Sequence, residues 1–180
     1  MVDRIILVGM MGAGKTTVGQ ALAHRLGWSY CDSDAQVMAA TGRSVPQLFA
    51  EQGEAAFRAV ESRVLAEALS GDEPVVVSAA GGVVLSDANR ALLASSGIVV
   101  WLRADPELLI QRVGTGRGRP LLDGDPASRV VQLYEVRRPL YESVAAVIVD
   151  VDDRTAAEVV EQILAAEAVS RTGIATGGKG

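Results

Sequence analysis

Nine residues near the start of the chain, Gly9 to Thr17 in "GMMGAGKTT", bring together three glycines, one lysine and two hydroxyl groups. Their spacing, Gly9-x4-Gly14-Lys15-Thr16, is that of a phosphate-binding loop. In such a loop the glycines let backbone N–H groups turn inward around phosphate oxygens, and the helix that follows adds positive potential. Lys15 is then placed to reach the β- and γ-phosphates of a nucleoside triphosphate, and Thr16 to set its hydroxyl on Mg2+. Gly12, Ala13, Gly14 and Thr17 complete the cradle, so ATP and Mg2+ are the expected cofactors. Residue usage sharpens the reading. Lys15 and Lys179 are the only lysines in a chain otherwise served by arginine. A compact ammonium suits this slot better than the wider guanidinium fork.

A second group follows in "YCDSDA", where Asp32 and Asp34 stand two residues apart at the end of an apolar run. In an open α/β sheet, ligands bind at the carboxyl ends of the strands. Asp32 is expected in the water shell of Mg2+. Asp34 is expected to accept a proton from an attacking hydroxyl or to hold it in line. On a strand the two would share a face, and Ser33 is expected to begin a turn that re-aims Asp34. The bland alternative is that Asp34 caps the helix starting at Ala35.

These groups need a scaffold. Apolar strand-like runs recur at 4–8, 28–31, 75–79, 98–102 and 146–150, with helical patterns between them. That alternation predicts a three-layer α/β/α fold around a five-stranded parallel sheet with right-handed crossovers. Helix starts are marked by Ser44 with Gln47, by Asp105-Pro106 and Asp125-Pro126, and by Thr155 with Glu158. One domain over 1–169 is expected. The stretch 113–125, "VGTGRGRPLLDGD", reads as a mobile flap, and 170–180 as a flexible tail.

The run from Gly9 to Glu61, with "RPLL" and "RRPLY" further on, resembles the shikimate kinase family over about residues 4–165. The resemblance implies a P-loop, nucleoside-monophosphate-kinase-like fold with a substrate-binding region near 33–62 and a lid near 113–125. It implies transfer of the ATP γ-phosphoryl group to the 3-hydroxyl of shikimate, on the route to chorismate and aromatic amino acids. Shikimate is a small carboxylated polyol, and arginine meets a carboxylate bidentately. Arg58 in "EAAFRAVE" and Arg137 in "VRRPLY" match the family's clamp. The rival for Arg58 is an i,i+4 pair with Glu54, worth about a few tenths of a kcal/mol. The rival for Arg137 is Arg138. Glu61 matches an acid that supports the acceptor pocket. Arg119 matches the lid arginine, which also meets the nucleotide, and Arg112 a residue that packs on adenine; the family's proline on the other face of the base gives way to a residue near Ala156. Asp34, Gly81 and Gly82 fall at the acceptor. Where the family carries three glycines, this chain has Ala80-Gly81-Gly82, which strains the backbone only if Ala80 needs a positive φ.

Other classes fit less well. A kinase of another acidic polyol or cyclitol, gluconate-like, is the nearest alternative. A nucleoside-monophosphate kinase fits less well because 33–70 offers a carboxylate clamp and few groups suited to stacking a base, and a regulatory nucleotide binder would not need Asp34 and Arg119. A net charge of -5 and a pI near 4.9 argue against nucleic acid or an anionic membrane as partner. The single Cys31, read as a plain buried or half-buried thiol rather than a nucleophile, fits a reducing cytosol. Trp28 and Trp101 read as core or boundary residues. A cytoplasmic monomer is expected.

Overall fold

The computed structural model of the chain describes residues 3–115, 119–166 and 169. Its strands are β1 (Arg4–Val8), β2 (Ser29–Asp32), β3 (Val75–Ser78), β4 (Ile98–Arg103) and β5 (Val147–Asp150), each within one residue of the expected run. All pairs are parallel, in the order β2-β3-β1-β4-β5. The central β1 and β4 are buried along nearly their whole length, as strands covered on both faces must be.

The helices are α1 (Lys15–Leu26), α2 (Ser33–Thr41), α3 (Val45–Ala68), α4 (Asp87–Ser96), α5 (Pro106–Val113), α6 (Pro126–Val144) and α7 (Ala156–Ala165). On one face α1 packs against α7; on the other, α4 and α6 pack against β4 and each other. The connection leaving β1 runs outward to β2, and the connection leaving β3 crosses to β4. These two strands are neighbours, so a crevice opens above their carboxyl ends. Register sets Asp32, Ser78 and Leu7 in one row at that edge.

The cap readings hold with one revision. Ser44–Gln47 and Thr155–Glu158 are full capping boxes, and Asp105 and Asp125 cap α5 and α6 ahead of their prolines. Asp34 is not a cap. Helix α2 starts at Ser33, and Asp32 is the last extended residue, with φ -109° and ψ 119°, so its carboxylate meets the open N–H groups of Asp34 and Ala35. Asp34 lies in the first turn.

Two apolar clusters result. The larger spans the sheet and includes Trp101; Trp28 packs half-buried at its edge. A separate one, Val37, Leu48, Phe57 and Val64, lies between α2 and α3 with Val45, Phe49 and Val60 against it. Helix α3 is broken at Gly53, whose φ of 78° and ψ of 174° are non-helical. Cys31 is a half-buried free thiol, and burial pushes its pKa up. Among the described residues no helix is long and apolar enough to cross a membrane. Arg117 and the stretch 170–180 lie outside the described residues.

Candidate active site

Every α-helix except α1 begins with a side-chain cap. Helix α1 begins at Gly14, in a left-handed conformation (φ 92°, ψ 17°), with no capping side chain and no acid in its first turn. Its first N–H groups are therefore left for an external anion. Gly9 is forced by proximity as well as by its φ of 145°, since a Cβ there would stand 2.7 Å from the Leu102 carbonyl oxygen. Within the loop, Lys15 Nζ donates to the carbonyls of Gly9 at 2.9 Å and Met10 at 3.0 Å. Burial lowers its pKa to about 8, against the opposing pull of Asp34 and Asp32.

The two aspartates divide their work. Asp32 Oδ1 caps α2 through the N–H of Asp34 at 3.0 Å, while Oδ2 accepts from Thr16 Oγ1 at 3.0 Å and lies 3.2 Å from the Tyr30 hydroxyl. Asp34 has no such partner and faces the cavity beside Lys15. Burial raises its pKa, moderated by the positive charge of Lys15 and, more weakly, of Arg58. A raised pKa makes the carboxylate a better proton acceptor than a free aspartate.

Across the crevice stand the arginines. Arg58 Nη1 donates to both oxygens of Glu61, at 2.9 and 3.0 Å, and Nη2 to Glu54 at 3.2 Å. The surface pair and the inward placement coexist. Glu61 is only 2% exposed; burial raises its pKa and Arg58 holds it down. Arg137 is 1% exposed, and its Nε has no hydrogen-bond partner among the described residues, whereas Arg138 is exposed. Helix phase thus separates the two: only Arg137 turns inward. One turn on, Tyr141 donates to the Gly81 carbonyl at 2.6 Å; burial pushes its pKa up to about 12. Lys15, Asp34, Arg58, Arg119 and Arg137 all line one cavity of about 450 Å³. A phosphate loop and a guanidinium pair therefore share a single chamber.

A family model described as shikimate kinase matches residues 11–167. The chain belongs to the shikimate kinase family. A shikimate kinase of Ruegeria pomeroyi is 43% identical over 168 residues, covering 93% of this chain and 86% of that one. A solved structure described as shikimate kinase from Acinetobacter baumannii in complex with shikimate superposes with a TM-score of 0.87 at 38% identity, covering 91% and 92% of the two chains. A gluconokinase of Sinorhizobium meliloti reaches a TM-score of 0.56 at 23% identity and shares the fold alone.

The departure from the family's three glycines is harmless to the backbone. Ala80 is not among the residues with positive φ, and its N–H donates to Ser33 Oγ at 2.8 Å. Arg112 stands beside the loop, donating to the Gly12 carbonyl at 3.1 Å. With Arg154 and Ala156 it borders a second cavity of about 270 Å³ that also touches Gly14 and Thr17. Sequence reasoning missed Tyr30, Ser78, Tyr141 and Arg154, and it gave Ser33 a turn but not its bond to Ala80. For Tyr30 a signal existed: it stands two residues before Asp32, on the same face of β2.

Proposed function

We propose that this chain phosphorylates the 3-hydroxyl of shikimate with ATP as donor. The observation that carries the reading is the shared chamber, in which an uncapped, lysine-bearing helix start faces the buried, unsaturated guanidinium of Arg137 and the inward fork of Arg58. The first feature suits a polyphosphate and the second a carboxylate, so the acceptor is an acid held by its carboxyl end.

The roles follow from that arrangement. Backbone N–H groups of Gly12 through Thr17 hold the phosphates, and Lys15 leaves its carbonyl partners for the β- and γ-oxygens. Arg112 covers the base. Arg58 and Arg137 grip the acceptor carboxylate, with the backbone of Gly81 and Gly82 closing the wall behind it. Asp34 takes the hydroxyl proton as the acceptor oxygen forms its bond to the γ-phosphorus and the bond to ADP breaks. Arg119 offsets charge on the transferring group and helps exclude water.

Magnesium fits the donor set. Thr16 and Asp32 are hard oxygen groups already hydrogen-bonded to each other at the loop. Among the described residues no group of three or more acidic, His or Cys side chains forms a protein cage. An ion of this kind is ordinarily held by one or two protein oxygens plus phosphates. When bound, the ion would supply positive charge against the negative charge that develops on the transferring phosphoryl group. The Thr16 hydroxyl would ligate it, with Asp32 acting through water.

We further read 1–169 as one catalytic unit, with 33–62 as the acceptor-binding region and 113–125 as a lid. Support comes from the small cluster under α2 and α3 and from Arg119, Pro120 and Leu121 at the chamber wall. We read the unit as acting as a monomer. The acidic balance and free Cys31 fit a cytoplasmic enzyme without nucleic-acid or membrane partners. The test is an ADP-release assay with Mg-ATP against shikimate, gluconate and nucleoside monophosphates. Turnover with shikimate at least a hundredfold above the others, in kcat/KM, is expected; equal turnover with gluconate would overturn the acceptor assignment.

A further inference from the structure

The strand below the phosphate loop carries a side chain that the roles above do not use. Tyr30 rises from β2 under α1, its ring in a space that α1 leaves open by carrying a glycine. A Cβ at Gly19 would stand 2.6 Å from Tyr30 Cε2 and 2.7 Å from Ser78 Oγ. Glycine in a helix interior costs about 1 kcal/mol relative to alanine, so this gap has a stability cost. The phenol head sits 3.2 Å from Asp32 Oδ2 and 3.0 Å from Ser78 Oγ.

Counting protons shows what the head does. Ser78 Oγ lies 2.9 Å from the Lys15 carbonyl oxygen, which only accepts, so Ser78 spends its one proton there. Thr16 spends its proton on Asp32 Oδ2. The Tyr30 hydroxyl, with a single proton, therefore faces two acceptors, a carboxylate and a serine oxygen. Hydrogen bonds to an ionised acceptor are about twice as strong as neutral ones. A fixed Asp32 takes the Thr16 proton in one direction and leaves the hydroxyl lone pairs free on the other side.

We propose that Tyr30 is a positioning residue for the metal site, holding Asp32 so that Thr16 presents its lone pairs to the magnesium of Mg-ATP. This rests on the phosphate-loop reading above. Tyr30 touches no substrate itself. Ser78 competes for its proton, so removing Ser78 commits that proton to Asp32.

The test is calorimetric binding of a non-hydrolysable ATP analogue, with Mg2+ and with EDTA, to the intact chain. The ratio of the two affinities measures the metal's contribution without any turnover. In Tyr30→Phe the ratio should fall about three- to tenfold while affinity in EDTA and KM for shikimate stay unchanged, as expected for one hydrogen bond to a shared acceptor. In Ser78→Ala the ratio should hold or rise. Thr16→Ala serves as the control that removes the ligand itself. If Tyr30→Phe keeps the wild-type ratio while Thr16→Ala loses it, the inference fails and the phosphate-loop reading stands. A fall of equal size in Tyr30→Phe and Ser78→Ala also defeats it, because loosened packing would then explain both. No metal effect in the wild type would sink inference and reading together.

Discussion

Gly82→Ala should cripple acceptor binding while sparing the fold. The backbone there, φ -90° and ψ -8°, is open to alanine. The obstacle is the clamp: an added Cβ would lie 2.0 Å from Arg58 Nη1, 2.6 Å from Cζ and 2.9 Å from Nη2. Ordinary contact begins near 3.4 Å, so the guanidinium must retreat by roughly 1.4 Å, far beyond what hydrogen-bond geometry tolerates. It is the end of a flexible side chain and can move, so the loss falls on what it holds. One charged contact is worth about 1.5–3 kcal/mol, which raises KM for shikimate roughly 10- to 150-fold. KM for ATP should change less than about twofold, because the hydrogen bonds of Arg58 go to Glu54 and Glu61 and not to the phosphate loop. Glu61, deprived of Arg58, would have its pKa raised further above that of the unfolded chain. The penalty on a raised carboxyl is absent below its unfolded value and grows as pH climbs towards the folded one. The melting-temperature deficit of the variant should accordingly shrink in acid. Steady-state kinetics at varied shikimate, with thermal melts from pH 4 to 8, measure both effects. A folded variant with wild-type KM for shikimate would refute the placement of Arg58 against Gly82.

Lys15 must be charged to attract a triphosphate, and its pKa in the free protein is lowered to about 8, so kcat/KM for ATP should decline above pH 8; the kcat limb should lie higher, since bound phosphate favours the ammonium. Asp34→Asn should cut kcat at least a hundredfold yet raise the melting temperature at pH 7. The burial that raises the Asp34 pKa penalises its charge above the folded pKa and not below the unfolded one, so the gain should vanish in acid. Arg137→Lys should raise KM for shikimate about tenfold or more, whereas Arg138→Lys, at an exposed position, should leave it within twofold; the same kinetics check both.

The strands, the caps and the phosphate loop were legible because each is a local pattern. Alternation, a cap three residues from its partner, and glycine spacing are all read within about ten positions. The aspartates and arginines were legible by type and context, but their orientation was not. Only the start of α2 at Ser33 decides that Asp32 caps and Asp34 faces the chamber. Only the phase of α6 decides for Arg137 over Arg138. Ser78 and Tyr141 read as ordinary strand and helix residues. Their partners lie far away along the chain, as with Tyr141 and the Gly81 carbonyl, and such contacts leave no periodic trace.

The four buried side chains beneath α2 and α3 form a cluster separate from the large one around the sheet. On the reading proposed above, damage there would loosen the acceptor end first, because the phosphate loop is seated on the large cluster. A lineage carrying this plan is free to remodel which small acid it grips, one aromatic or valine at a time, and never to gamble the triphosphate grip in doing so.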